Sequence, residues 1–214
     1  MADPGTIDWV LTTTRTVRRR LDLSRPVDLD VVLECLEVAL QAPTGGDLQL
    51  WRWIVVTNAA TKSHIRQLYH SALLRASGGR RPEAVEGPGS GLLEGAWHLA
   101  THLDEVPVIV VACIMGRPAR ADTQARLAAR YGSIFPAVWS FQLALRSRHL
   151  ASAMTTVHLE EDRAMAELLG IPDNVTQAAL VPIAHLIGTD LHPARRRSVR
   201  EVAFPDRWGA SWDG

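Results

Sequence analysis

The sequence predicts one domain of mixed α and β structure, in which helices cover both faces of a central sheet. The strands predicted over residues 52–57 and 106–115 are apolar on both faces, as strands are when a sheet is covered on each side. Residues 134–145 form the most apolar helical pattern of the chain and should lie buried at its centre. With 214 residues, 47% of them apolar, the chain is long enough to fill one core.

Composition and charge restrict the class of protein. A net charge of zero argues against a dedicated nucleic-acid-binding or membrane-surface protein. Cys35 and Cys113 both lie in apolar periodic segments, which favours two buried small side chains over a disulfide. The N-terminus lacks the apolar core of a signal peptide, and the longest apolar run is too short to span a bilayer. We therefore expect a soluble, cytoplasmic protein without a membrane partner.

The first half of the chain predicts three helices and one strand. Residues 7–14 have the pattern of a short helix. Residues 29–41 repeat apolar side chains at helical spacing after Asp28, a favourable N-cap residue. The strand over 52–57 follows, with Trp53 and Val55 on one face and Ile54 and Val56 on the other. Residues 61–75 then predict a third helix, whose apolar face holds Ile65, Leu68, Ala72 and Leu73.

The second half begins with residues 77–95, which are rich in glycine and proline and predict a long flexible loop. Gly132 and Ser133 predict a helix start at residue 134, which places Pro136 in a first turn, where proline is tolerated. Gly170 predicts a helix end. The remaining elements are helix 96–103, strand 106–115, helices 123–130 and 134–145, strand 150–157, helix 160–169, strand 178–187 and an arm over 189–214 that contains Phe204, Trp208 and Trp212.

The run Arg15-Thr16-Val17-Arg18-Arg19-Arg20 places four arginines within six residues. A basic run is often a solvated face of a helix or loop. The alternative is an anion site, because the guanidinium fork matches the geometry of phosphate oxygens. Both interpretations are open at this point.

The stretch Ala-Pro-Thr-Gly-Gly-Asp-Leu-Gln-Leu-Trp, residues 42–51, lies between a predicted helix and a predicted strand. Pro43 disfavours helical geometry at the residue before it, so the helix should end there. Gly45 and Gly46 let backbone amides approach a ligand closely. Thr44, Asp47 and Gln49 offer hydrogen bonds to a flat polar molecule. An ordinary turn has a similar composition, so this stretch alone does not establish a site.

Two histidines raise the question of a metal. His98 and His102 are four residues apart in the predicted helix 96–103, a spacing that can bind a metal ion. No glutamate lies beside His98, and no third ligand is evident nearby. We therefore interpret this segment as a surface or boundary helix and predict no metal site.

Taken together, the arginine-rich motif, the stretch over 42–51, the apolar central helix, a Gly-Ile-Pro turn and a basic segment near residues 195–198 resemble the nitroreductase family. The resemblance extends from about residue 12 to about residue 202. It implies an α+β fold: a three-layer α-β-α domain with a mixed, mainly antiparallel sheet. It also implies a homodimer, with a C-terminal extension that reaches the other subunit, and FMN as cofactor. NADH or NADPH would be the electron donor.

The resemblance also assigns residues to the flavin. By position, Arg15, Thr16 and Arg18 correspond to residues that bind the FMN phosphate, ribityl chain and pyrimidine edge. Pro43, Thr44, Gly45, Gly46, Asp47 and Gln49 resemble the segment that packs on the flavin from the other subunit. Met154, Thr155 and Thr156 correspond to residues beside the isoalloxazine ring, and Arg195 and Arg196 to a C-terminal phosphate clamp. The chain departs from the family at Thr16 (often Ser), Asp47 (commonly Asn) and Leu50 (commonly Pro).

The leading functional hypothesis is therefore hydride transfer from NAD(P)H through FMN to a nitroaromatic, a quinone or a similar small-molecule acceptor, by ping-pong turnover. The flavin would do the chemistry, so no catalytic side chain is predicted. A flavin enzyme of the same fold with oxygen-dependent or dehalogenating chemistry is one alternative. A protein that binds or stores flavin without NAD(P)H turnover is another. Nucleic-acid binding through the arginine clusters is disfavoured, because no recognition motif accompanies them.

Overall fold

The computed structural model describes residues 3–81, 90–189 and 191–212 of the chain. Its contacts divide the chain into two compact units. One unit is residues 14–189, and the other consists of the described parts of residues 1–13 and 190–214. The bounds of the helices are α1 Pro4–Thr13, α2 Leu29–Ala39, α3 Ala59–Ala76, α4 Ser90–His102, α5 Gln124–Ser147, α6 Asp162–Leu169 and α7 Val199–Val202. Those of the strands are β1 Leu21–Asp22, β2 Trp51–Val56, β3 Val108–Met115, β4 Leu150–Ser152 and β5 Val175–Leu186.

The larger unit is built on a five-stranded sheet in which β5 and β3 are central. The strand order is β1-β5-β3-β2, and β4 also pairs with β5. Each of these pairings is antiparallel, and a single parallel bridge joins Thr16 to Ser152. Because Ile183 pairs with both β3 and β4, these two strands lie on opposite edges of β5. The predicted α+β class and mainly antiparallel sheet are confirmed.

Alternation along β3 separates the two helical layers. Val110 and Ala112 belong to a cluster with Trp53, Val138 and Phe141, so this face of the sheet packs against α5 and its neighbour α2. The alternate residues of β3 are equally buried and must point to the opposite face. The 3-10 helix Val157–Glu161 contacts β5, α3 and α6 contact this 3-10 helix, and α4 contacts α3. The covered sheet that the two apolar strands predict is thus present.

Local signals placed two helix boundaries correctly. The Asp28 side chain accepts a hydrogen bond from the Asp30 amide and caps α2, as predicted. Gly170 ends α6 in the left-handed conformation, with φ of 64°.

Cys35 and Cys113 are both free and buried, which confirms their assignment to the core.

The two helices predicted over 123–130 and 134–145 are wrong, because one helix, α5, runs through both. Pro136 therefore lies in the helix interior and not in a first turn. Instead of capping a new helix, Ser133 donates its hydroxyl to Ala129 O at 2.7 Å and accepts from the Gly45 amide at 3.0 Å. The helix is also not buried all round, since Trp139 is 42% exposed.

The loop predicted over 77–95 is wrong in its last part, since α4 begins at Ser90. Residues 82–89 lie outside the described part of the chain. Glycine disfavours helix, but tertiary contacts support this one: Glu94 forms an ion pair with Arg19 at 3.0 Å, and the Trp97 side chain is buried. The helix predicted over 96–103 is therefore the C-terminal half of α4.

The strand predicted over 150–157 ends at Ser152 and is followed by the 3-10 helix Val157–Glu161, so its second half is wrong. Thr155 keeps one isolated antiparallel bridge to Leu180, but no continuous strand runs through it. Short elements were also missed, namely the two-residue strand β1 and the four-residue helix α7.

The smaller unit contains α1, α7 and the aromatic arm. Ser198 and Glu201 form a reciprocal capping box at α7. The rings of Phe204 and Trp208 lie 5.0 Å apart, and the indole nitrogen of Trp212 donates to Ala203 O at 2.7 Å. Trp208 is nevertheless 92% exposed. Across the helices that the structure describes, none combines the length and the apolar character needed to cross a membrane.

Candidate functional site

Two of the stretches singled out in the sequence meet beside β5. The Val17 amide donates to Ser152 O at 2.9 Å, and Thr16 forms a parallel bridge with the same serine. The arginine-rich motif therefore lies along the end of β4, directly before residues 154–156. Two segments about 140 residues apart, 15–18 and 154–156, are brought together by this pairing.

The four arginines of the motif divide into two kinds. Arg19 pairs with Glu94, and the Arg20 guanidinium donates to Ile187 O at 2.9 Å. Arg15 and Arg18 are half-buried, and within residues 3–81, 90–189 and 191–212 neither has a hydrogen bond or an ion pair. A partly buried cation without a partner is a favourable position for an anionic ligand, because no bond within the chain must be broken.

Residues 154–156 present alternate side chains to opposite sides. Met154 and Thr156 are exposed, whereas Thr155 is buried. The Thr155 backbone pairs in both directions with Leu180, at 3.0 and 2.9 Å. Met154 and Thr156 are therefore available to a ligand, while the Thr155 side chain points into the protein.

The side chains that hold this segment from within were not identified from the sequence. The Tyr69 hydroxyl lies 3.0 Å from Thr155 Oγ1, and Gln142 donates to Ser152 Oγ at 3.1 Å. Tyr69 lies four residues after Ile65 on the buried face of α3, a position that the helical pattern assigns to the neighbouring Leu68. A polar residue at such apolar spacing is the signal that could have revealed it.

A buried histidine follows the same segment. His158 has no exposed surface, and neither of its ring nitrogens has a hydrogen-bond partner in the described residues. Burial disfavours the charged imidazolium and lowers the pKa of His158 to about 4. The side chain is therefore neutral at neutral pH.

The predicted segment 43–49 has a distinctive backbone. Asp47 and Gln49 both have positive φ, 53° and 47°, which is uncommon for residues other than glycine. The Gln49 amide nitrogen of the side chain donates to Asp47 Oδ1 at 3.3 Å, and the Gln49 backbone amide donates to Thr44 Oγ1 at 3.3 Å. These local bonds support the turn, and they leave the Gly46 backbone exposed.

In the single chain this segment lies away from the arginine motif. Thr44, Gly45 and Gly46 line a cavity of about 500 Å³ against the first half of α5, next to the Trp51 end of β2. The arginine motif instead lies at β4, on the far side of β5. The structure therefore brings Arg15, Thr16 and Arg18 together with 154–156, but not with residues 43–49 of the same chain.

Arg195 and Arg196 belong to the smaller unit. Both side chains are exposed, and Arg196 donates to the Arg195 carbonyl oxygen at 3.1 Å. Their assignment to a phosphate clamp remains a prediction.

The histidine pair of α4 forms contacts within the protein. The rings of His98 and His102 lie 4.6 Å apart, and His102 Nδ1 contacts Glu105 Oε1 at 2.7 Å. Burial is the main cause that lowers the pKa of His98, and the neighbouring His102 lowers it further. The described residues contain no group of three histidine, cysteine or acidic side chains placed to hold a metal.

The chemistry of the site fits FMN, whose phosphate, polyol and flat ring need different partners. Arg15 and Arg18 offer positive charge that no residue in the described ranges pairs with. Thr16 offers an exposed hydroxyl beside them, and the exposed Met154 offers an apolar surface.

Solved structures with a similar fold include three flavoprotein relatives. An iodotyrosine deiodinase bound to FMN and 3-iodo-L-tyrosine matches with a TM-score of 0.68 and 21% identity, over 94% of this chain and 97% of its own. An FMN- and NADPH-dependent nitroreductase from Sphigopyxis sp. strain HMH has a TM-score of 0.67 and 20% identity, over 94% and 98%. A BluB-like flavoprotein from Clostridium difficile 630 has a TM-score of 0.69 and 14% identity, over 94% and 99%.

Sequence comparison identifies the family. A search of curated proteins found no match. The sequence model described as "Nitroreductase family" matches residues 11–185, which is most of the chain and includes both stretches that meet at β4. This chain therefore belongs to the nitroreductase family.

Proposed function

We propose that this chain is an FMN-dependent oxidoreductase that passes electrons from NADH or NADPH to a nitroaromatic, a quinone or a similar small molecule. The observation that supports the proposal is the pair of half-buried guanidiniums of Arg15 and Arg18, which no described residue pairs with, next to the exposed side chains of Met154 and Thr156. A solvated basic face would not leave two arginines partly buried with no counter-charge from the part of the chain that the structure describes.

Each of these residues would bind a different part of the cofactor. Arg15 would bind the phosphate, Thr16 the ribityl chain and Arg18 the pyrimidine edge. Bound FMN would supply the ring that accepts hydride and passes it on. A cation at the pyrimidine edge favours the reduced, anionic ring, which is the role proposed for Arg18. Met154 and Thr156 would contact the ring.

The proposal includes a homodimer, because residues 43–49 lie far from the arginine motif of their own chain. In a dimer, this segment would contact the flavin held by the other subunit. Exposed apolar side chains support such an interface: Leu33 on α2 and Trp139 on α5 are 50% and 42% exposed. Arg195 and Arg196, on the arm, would complete the phosphate site.

The relatives support FMN more directly than they support one reaction. The deiodinase was solved with FMN, and the Sphigopyxis enzyme is described as dependent on FMN and NADPH. Since the deiodinase is as similar to this chain as the nitroreductase is, reductive dehalogenation is the second candidate function. A flavin-storing protein is the third.

The first experiment identifies the released ligand by mass spectrometry and then tests reduction. We expect FMN, and we expect loss of the yellow colour when NADH or NADPH is added without air. FAD, or no flavin after reconstitution with FMN, would contradict the proposal. Flavin that binds but is not reduced by either nucleotide would indicate storage, or a reaction with another donor.

The second experiment tests the role of the half-buried arginines by comparing two substitutions. Arg15→Ala should weaken FMN binding roughly tenfold to a hundredfold, since a bond to a charged group contributes about 1.5–3 kcal/mol. Arg19→Ala is the matched control, because that arginine already pairs with Glu94. Equal effects of the two substitutions would place the phosphate elsewhere.

A further inference from the structure

Tyr69 is a buried polar residue that the proposed function does not yet use. It lies on α3 with 1% of its surface exposed, between the buried side chains of Ile65 and Ala72. Its hydroxyl is 3.0 Å from Thr155 Oγ1. Burial raises the pKa of Tyr69, so the hydroxyl keeps its proton at neutral pH.

Thr155 is held by bonds on both its side chain and its backbone. Its hydroxyl oxygen also accepts from the Val157 amide at 3.3 Å, and its backbone pairs twice with Leu180 on β5. A threonine hydroxyl has one proton and two lone pairs, so Tyr69 and Val157 together use most of its bonding capacity. Thr155 is therefore a fixed point, and its neighbours Met154 and Thr156 project outward from it.

We propose that Tyr69 is a positioning residue for the flavin site: its hydroxyl orients Thr155 from beneath and so sets the position of the ligand-facing residues Met154 and Thr156. This inference rests on the proposed function, since it assigns the outer side of residues 154–156 to FMN. Tyr69 itself offers almost no surface to a ligand, because only 1% of it is exposed.

Tyr69→Phe should weaken FMN binding, because Met154 and Thr156 would no longer be held in one position before the ligand arrives. The bond itself also exists without ligand, so only part of its energy affects binding, and the Kd for FMN should rise roughly twofold to tenfold at most. Thr155→Val should have a similar effect, and the double variant should bind FMN no more weakly than Thr155→Val alone. Additive losses would show that the two hydroxyls act separately and would overturn the proposal.

Tyr131→Phe is the matched control. Tyr131 is half-buried on α5 and stacks on Phe135, and among the described residues its hydroxyl has no hydrogen-bond partner. The substitution Tyr131→Phe removes a phenolic oxygen, as Tyr69→Phe does, from the other tyrosine of the chain. FMN affinity and the absorption spectrum of the bound flavin should match those of the unaltered protein.

Amide hydrogen exchange in the absence of FMN provides a readout that is independent of the flavin. Tyr69→Phe should speed exchange at Val157, whose amide bonds to Thr155 Oγ1, and should shift the absorption bands of bound FMN. Faster exchange and a lower melting temperature, with FMN affinity and spectrum unchanged, would make Tyr69 merely structural and overturn the proposal. If the unaltered protein binds no FMN, the proposed function fails first and this inference with it.

Discussion

The buried, unpaired imidazole of His158 predicts a specific loss of stability in mild acid. Because its pKa is lowered from 6.5 to about 4, the unfolded chain takes up a proton below pH 6.5 that the folded protein does not bind. The contribution of His158 to the unfolding free energy is fully present above pH 6.5 and is lost as the pH falls toward 4. His158→Leu removes the titrating group and keeps a buried side chain of similar size.

The size of the effect follows from the shift in pKa. One pKa unit corresponds to about 1.4 kcal/mol, so the full difference amounts to roughly 3 kcal/mol near pH 4. Between pH 7.5 and pH 5, the unaltered protein should lose about 2 kcal/mol more unfolding free energy than His158→Leu. Other groups titrate in the same range, but their contributions cancel in this difference.

Urea unfolding at pH 7.5, 6 and 5, with the same FMN concentration for every protein, measures these free energies. His64→Leu is the matched control, because it makes the same substitution at an exposed histidine of α3. Parallel pH profiles for the unaltered protein and His158→Leu would refute the reasoning. So would an NMR titration that places the pKa of His158 near 6.5.

The remaining predictions concern the proposed function. Arg196→Ala should weaken FMN binding roughly tenfold to a hundredfold with little effect on folding, while Arg197→Ala should not, as measured by flavin titration. Equal effects would argue against a specific clamp. Light scattering should give the mass of a homodimer with flavin bound, and a flavin-bound monomer would contradict the proposed shared site. Initial rates at several acceptor concentrations should give parallel double-reciprocal lines, because one pocket over the ring cannot hold donor and acceptor together. Converging lines would indicate a ternary complex.

Much of the fold follows from local patterns. The continuous apolar run of β3, the alternating faces of β2 and the cap at Asp28 are readable because burial on a strand or helix repeats with a fixed period. Two motifs of the candidate site, the arginine run and the stretch over 42–51, are also visible in the sequence alone. The arginine run stands out through its chemistry: four guanidiniums in six residues are unusual unless they meet an anion or water.

Local patterns failed where contacts between distant residues decided the outcome. Gly132 and Ser133 look like a helix start, yet the Ser133 hydroxyl bonds to Gly45, 88 residues away, and α5 continues. The indole nitrogen of Trp51 also donates to the Ser133 carbonyl oxygen at 2.8 Å. These bonds satisfy polar groups that a helix boundary would otherwise leave to solvent.

By itself the sequence determined the family, the covered sheet and the positively charged motif, because these depend on residue type and spacing along the chain. Only the tertiary structure decided which arginines of the motif bind other residues, since Glu94 and Ile187 lie far away in sequence from Arg19 and Arg20. It likewise decided that the Thr155 side chain faces Tyr69, 86 residues away, and not solvent. A hydrogen bond depends on where two atoms meet in space, and no periodicity within one segment encodes the position of its partner.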